Sequence, residues 1–104
     1  MKVDTGLPHT RPDPTDAVQA AVANGYDALW FAETQHDPMV ALALASRVAP
    51  GLALGTGILV AFARTPMTTA VSANDLQFLT GGKFMLGLGS QVKPHIERRF
   101  SMPW

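Results

Sequence analysis

Apolar residues gather in blocks along this chain, and the blocks differ in period. Four short runs read as strands, at 2–7, 28–32, 51–64 and 84–88, and the last three are apolar without regular polar alternation. Runs of that kind suit strands covered on both faces, as in parallel sheets. Between them lie longer segments that open on a small polar residue followed by proline: Asp13-Pro14, Asp37-Pro38 and Thr65-Pro66. A polar cap with proline at the first helical position is a helix-start signal. The first helix shows Ala17, Val18, Ala21 and Val22 on one face, carries Asp16 in its first turn, and ends at Asn24-Gly25. The second runs from Asp37 to about Val48 and is almost wholly apolar, so it is expected to be covered on most sides. In the third, Met67, Ala70, Val71, Asn74, Leu76, Phe78 and Leu79 are expected to alternate roughly between buried and exposed turns before Gly81-Gly82 stops it. A short helix over 95–100, stopped by Pro103, is expected in the tail.

The prolines at 14, 38 and 66 recur at intervals of 24 and 28 residues, the length of one strand–helix unit. Repeated strand–helix units imply parallel strands joined by right-handed crossovers. Two α/β architectures fit: an open doubly wound sheet, or the N-terminal half of a (β/α)8 TIM barrel with four parallel strands and three intervening helices. A full barrel needs about 200 residues or more, and this chain has 104. The apolar second helix favours the half-barrel over 1–104. Its open inner face and unpaired strand edges lead to the expectation of a partner copy, a missing remainder, or both.

Composition narrows the function classes. Charged residues make up 15% of the chain, below the usual quarter, and the net charge is zero. Nothing here steers the chain towards nucleic acid or an acidic membrane. No apolar run is long enough to span a bilayer, and the first residues lack the apolar core of a signal peptide. A soluble cytoplasmic protein is expected. With no cysteine, disulfides and thiolate metal sites are excluded. His9, His36 and His95 stand one per loop without metal-ligand spacing, so no metal is expected.

In either architecture ligands bind at the carboxyl ends of the strands. That places together Pro8-His9, the turn from Glu33 to His36, the stretch from Gly57 to Phe62, and the exit from Gly89 to Lys93. His36 is a residue type that moves protons near neutral pH, and Glu33 at the end of a buried strand needs a partner or water. Lys93 and His95 read as a solvated face. The glycines of the third strand mark a bulge or a close approach of a ligand, so its tip is read as a wall for a flat molecule. Ser90 is not in a nucleophile-elbow pattern, and Gly87-Leu88-Gly89 lacks the third glycine of a dinucleotide fingerprint.

Three segments carry a family resemblance: Gly25-Tyr-Asp-Ala-Leu-Trp-Phe-Ala-Glu33; Leu54-Gly-Thr-Gly-Ile-Leu-Val60 with Arg64-Thr-Pro66; and Leu79-Thr-Gly-Gly-Lys-Phe-Met-Leu-Gly-Leu-Gly-Ser90. In order and spacing they resemble the luciferase-like monooxygenase superfamily, and within it the coenzyme F420-dependent oxidoreductases. The resemblance implies a TIM barrel that holds a deazaflavin or flavin over its strand ends, with F420 as the cofactor and FMN as the alternative. It implies a bulge, often with a non-prolyl cis peptide, at Gly57-Ile58, with Leu59 and Val60 beside it, backing the ring. It implies a further contact at Ser90 or Gln91 and a proton-handling residue at His36 or Glu33. The family's phosphate-binding loops lie in the second half of the barrel, beyond the motifs present here. The expected activity is hydride transfer to or from an organic small-molecule substrate. The rival expectations are a non-catalytic half-barrel that self-associates into a homo-oligomer through its strand edges, and a flavodoxin-like FMN binder with helices on both faces of an open sheet.

Overall fold

The computed structural model describes residues 1–7 and 10–104. The expectation attached to His9 lies outside them. Four strands form one parallel sheet in the order β1-β2-β3-β5: β1 (Asp4–Gly6), β2 (Ala28–Phe31), β3 (Ala53–Thr56) and β5 (Phe84–Met85). Two further strands, β4 (Leu59–Val60) and β6 (Leu88–Gly89), form a separate parallel pair. They continue the third and fourth runs beyond short breaks. The sequence expects each run to be one strand; each is divided in two.

Strands that follow one another in space as they do in sequence, joined by right-handed crossovers, carry their helices on one face. The helices are α1 (Thr15–Ala23), α2 (Pro38–Val48) and α3 (Pro66–Leu79), with α4 (Lys93–Arg99) after the last strand. Packing runs from α1 to α2 to α3, with α2 on β2 and β3 and α3 on β5. A doubly wound sheet would reverse its strand order and place helices on both sides, so the flavodoxin-like arrangement is not this fold.

Two helix starts follow the sequence signal. Asp37 accepts the Met39 N–H at 2.9 Å and Thr65 Oγ1 accepts the Thr68 N–H at 3.2 Å, each followed by proline. The first start is displaced by one residue. Pro14 is the cap and its carbonyl takes the Val18 N–H, while Asp13 sits outside and accepts the Thr15 N–H and hydroxyl. Those two bonds hold the Asp13 carboxyl below its ordinary value.

The core lies between sheet and helices and contains Val18, Ala21, Leu29, Phe31, Leu42, Ala45, Leu54, Leu76 and Phe84. Helix α2 is less covered than its composition suggests: Ala41, Leu42 and Ala45 are buried, whereas Val40 and Leu44 face outward and are exposed. Helix α3 buries only Thr69 and Leu76, and Phe78 is 86% exposed. Its apolar residues are spread around the helix rather than along one stripe. Helix α4 starts two residues earlier than expected, and Lys93 pairs with Glu97 at 3.7 Å on its exposed face.

Side chains alternate across a strand. Leu29 and Phe31 enter the helix-side core, so Trp30 lies on the opposite face. There its ring covers Gly55 so closely that a Cβ at 55 would stand 2.5 Å from the ring. The Trp30 indole N–H donates to Asp4 Oδ2 at 3.1 Å, joining β1 to β2.

Candidate functional site

The strand exits converge at the break between β3 and β4. Pairing fixes this: Gly55 lies opposite Met85 and Leu59 opposite Leu88. Residues 56–58 on one strand therefore face only residues 86–87 on the other, a one-residue bulge. The peptide between Gly57 and Ile58 is cis. Gly57 is exposed, Ile58 is half-buried, and Leu59 and Val60 are buried.

The bulge is held from the β2 side. Gly57 N–H donates to the Phe31 carbonyl at 2.8 Å, and Glu33 N–H donates to the Ile58 carbonyl at 3.0 Å. The Glu33 side chain then folds under the segment. Its Oε2 accepts the Val60 N–H at 2.8 Å, inside a region where Glu33 is only 8% exposed. Arg64 grips the same carboxylate with both terminal nitrogens, at 2.7 Å to Oε2 and 3.0 Å to Oε1. Its Nη2 also reaches Asp37 Oδ2 at 3.1 Å. A two-pronged guanidinium–carboxylate contact is the strong form of this pair. The hydrogen bond to Glu33 is the main reason that the Arg64 guanidinium is held above its ordinary value, against the opposing effect of burial.

His36 lies three residues beyond Glu33, half-buried, with Nε2 3.3 Å from the Thr10 carbonyl. On the other side of the bulge, Gly89 pairs with Val60, which sets Ser90 and Gln91 next to it. A Cβ at Gly89 would come within 2.6 Å of the Ile58 side chain, so glycine there leaves room for Ile58. Gln91 has φ of +61°, a left-handed conformation uncommon for a side-chain-bearing residue. Its Oε1 accepts the Val92 N–H at 3.1 Å at the entry to α4.

The structure therefore gathers Glu33, Gly57, Ile58, Leu59, Val60, Ser90 and Gln91 around neighbouring strand exits, while the contact it gives His36 is to the Thr10 carbonyl. Lys93 and His95 stay on the solvated face of α4. Sequence reasoning missed Arg64, although the signal was present: Glu33 needed a partner, and Arg64 is the cation that ends the third apolar run. It also missed Thr56, whose hydroxyl joins the two broken strands. Among the described residues, no three His, Cys, Asp or Glu side chains come together in a way that could hold a metal ion. Nor is any helix among them long and apolar enough to cross a membrane.

Gly57 presents bare main chain at the exit, and the half-buried Ile58 lies beside it. The sheet's open face continues below as the Trp30 ring.

An uncharacterised protein of Mycobacterium tuberculosis is 48% identical over 104 residues, which is all of this chain and 31% of the relative. The 5,10-methylenetetrahydromethanopterin reductase of Methanopyrus kandleri is 28% identical over 95 residues, 88% of this chain and 27% of the reductase. The chain thus spans about a third or less of the length of these relatives. Two solved structures share the fold. The coenzyme F420-dependent tetrahydromethanopterin reductase of Methanopyrus kandleri superposes with a TM-score of 0.81 at 24% identity, covering 99% of this chain and 30% of that one. The oxygenating constituent of 3,6-diketocamphane monooxygenase from Pseudomonas putida, in complex with FMN, gives 0.83 at 16% identity, covering 99% and 33%. The chain corresponds to the N-terminal part of these TIM-barrel neighbours. Residues 4–104 match the luciferase-like monooxygenase family, and the chain belongs to that family.

Proposed function

We propose that this chain forms the ring-facing N-terminal part of a cytoplasmic oxidoreductase that uses coenzyme F420, or FMN in its place, to transfer a hydride to or from an organic small molecule. The observation that carries the reading is the bulge at 56–58, held at the strand exits with Gly57 exposed. When bound, the cofactor would supply the hydride chemistry, and the protein would orient it and its substrate. Gly57 and Ile58 would back the ring, with Leu59 and Val60 keeping their main chain in place. Ser90 and Gln91 would contact its edge.

Of the two candidates for proton handling, the geometry favours His36. Both Glu33 oxygens are already engaged by Arg64 and the Val60 N–H, so Glu33 acts by holding the wall. His36 sits at the rim, and a positioned histidine contributes about 10²–10⁴-fold to a proton transfer. The test is titration of the protein with F420 and with FMN, followed by fluorescence, with His36→Gln beside it. The expected result is binding of one cofactor and, in the full-length protein, a His36→Gln variant that binds it within about threefold but loses about 10²-fold or more in turnover. Failure of both cofactors to bind, even with the remainder of the barrel supplied, refutes the proposal.

A second reading is a self-associating half-barrel without catalytic activity. It draws support from β1 and β5 standing at the two edges of the sheet, since unpaired edges invite pairing with another chain. Light scattering separates the readings: a stable, well-folded monomer removes this one.

A further inference from the structure

The bulge has a second support, on the side away from Glu33. At the point where pairing passes from β3/β5 to β4/β6, the ladder to the neighbouring strand is interrupted at residues 56–58, and the side chain of Thr56 bridges the gap. Thr56 Oγ1 accepts the Gly87 N–H at 2.9 Å and donates to the Gly87 carbonyl at 2.9 Å. One hydroxyl thus satisfies both main-chain groups of the residue facing the bulge, within its capacity of one donor and two lone pairs. The same Gly87 carbonyl also accepts the Leu59 N–H at 2.8 Å, just past the bulge. Thr56 is fully buried. The approach is so close that a Cβ at residue 87 would collide with the Thr56 carbonyl, which is main chain and cannot swing away.

We propose that the Thr56 hydroxyl is a positioning group: through Gly87 it sets where residues 57–60 lie, and so sets the wall presented at the strand exits. Its bearing on a bound ring rests on the reading given under Proposed function; its hold on the bulge does not. The Glu33–Arg64 side anchors Ile58 and Val60, and the Thr56–Gly87 side anchors Leu59. Between them, both flanks of the segment are tied to neighbouring strands. A hydroxyl is required for this. Valine has nearly the same shape as threonine but can neither accept from Gly87 N–H nor donate to its carbonyl; the carbonyl keeps the Leu59 N–H, whereas the half-buried Gly87 N–H loses its partner, which is costly.

The experiment compares Thr56→Val and Thr56→Ser with the unaltered chain by amide-resolved NMR and by titration with F420 and FMN. Thr56→Val is expected to shift the Gly87 and Leu59 amide signals and speed their hydrogen exchange about tenfold or more relative to Leu54. Thr56→Ser, which keeps the hydroxyl, is expected to restore both. The cofactor that binds the unaltered chain is expected to bind Thr56→Val about tenfold more weakly and Thr56→Ser nearly normally. Unchanged Gly87 and Leu59 signals and exchange in a folded Thr56→Val overturn the proposal. If Thr56→Val does not fold, the unaltered chain decides: a Gly87 amide that exchanges freely while Leu54 is protected overturns it equally. An unaltered chain that binds neither cofactor removes the proposed function, and the amide comparison still decides whether Thr56 places the bulge.

Discussion

Removing Arg64 while leaving Glu33 is the sharpest test of the site's architecture. The Glu33 side chain is 6% exposed and the Arg64 side chain 19%. Breaking a buried pair from one side costs about 3–5 kcal/mol because the other charge is left unpaired. Arg64 retains some contact with water, so Arg64→Met is expected near the low end, at about 3 kcal/mol. For a domain of this size that lowers Tm by about 12–24 °C. Glu33→Gln alone removes the charge but keeps an acceptor for the Val60 N–H, and is expected to cost about 1.5 kcal/mol. The double variant has no orphaned charge. It is expected to be more stable than Arg64→Met by about 1 kcal/mol, although it carries one more substitution.

The assay is urea unfolding of the four proteins, read by circular dichroism. Losses that add within about 0.5 kcal/mol would show that the two side chains do not act as a pair. The sign of the pH dependence follows from the Arg64 shift. A base whose folded value is raised stabilises the fold fully below its unfolded value, which for arginine lies far on the alkaline side, and that contribution is lost only as pH rises through the still higher folded value. The Arg64 contribution to the coupling is therefore expected to be equal at pH 6 and pH 9. A clear fall between them would contradict the assignment.

Two other substitutions probe the elements around the pair. Gly55→Ala places a Cβ against the Trp30 ring and is expected to cost about 1–3 kcal/mol; it should also move the Trp30 indole N–H signal as the bond to Asp4 is disturbed, and an unchanged signal and Tm would refute the close contact. Asp37→Ala removes the cap of α2 and the outer contact of Arg64, and is expected to cost about 1 kcal/mol in unfolding free energy; a loss as large as that of Arg64→Met would mean that Asp37, rather than Glu33, is the main partner.

Much of this molecule was legible before any coordinates. The small polar residue followed by proline at 37–38 and 65–66 marks helix starts that the structure keeps, because a capping side chain and a preset φ act locally. The 24- and 28-residue spacing of the prolines was enough for parallel strand–helix units, since parallel strands need a crossover of a dozen or more residues between them; the double coverage expected of the strands is not met, because one face of the sheet stays open and Gly6, Met85 and Leu88 are exposed. The strand exits named His36, Glu33, Gly57 and Ser90 as neighbours for the same topological reason. Local signals could not say how far α3 would be covered, because burial of Leu76 but not Phe78 depends on where α2 lies. They could not divide the third run into β3 and β4, since a bulge is defined by the partner strand: three residues here face two there. Nor could they assign Arg64 to Glu33 or Thr56 to Gly87, pairs 31 residues apart in each case. Sequence alone determined the periodic frame and the residue types at its open end. The tertiary structure decided which polar groups are consumed in holding the bulge, because a hydrogen bond exists only once folding has brought its two ends within bonding distance of each other.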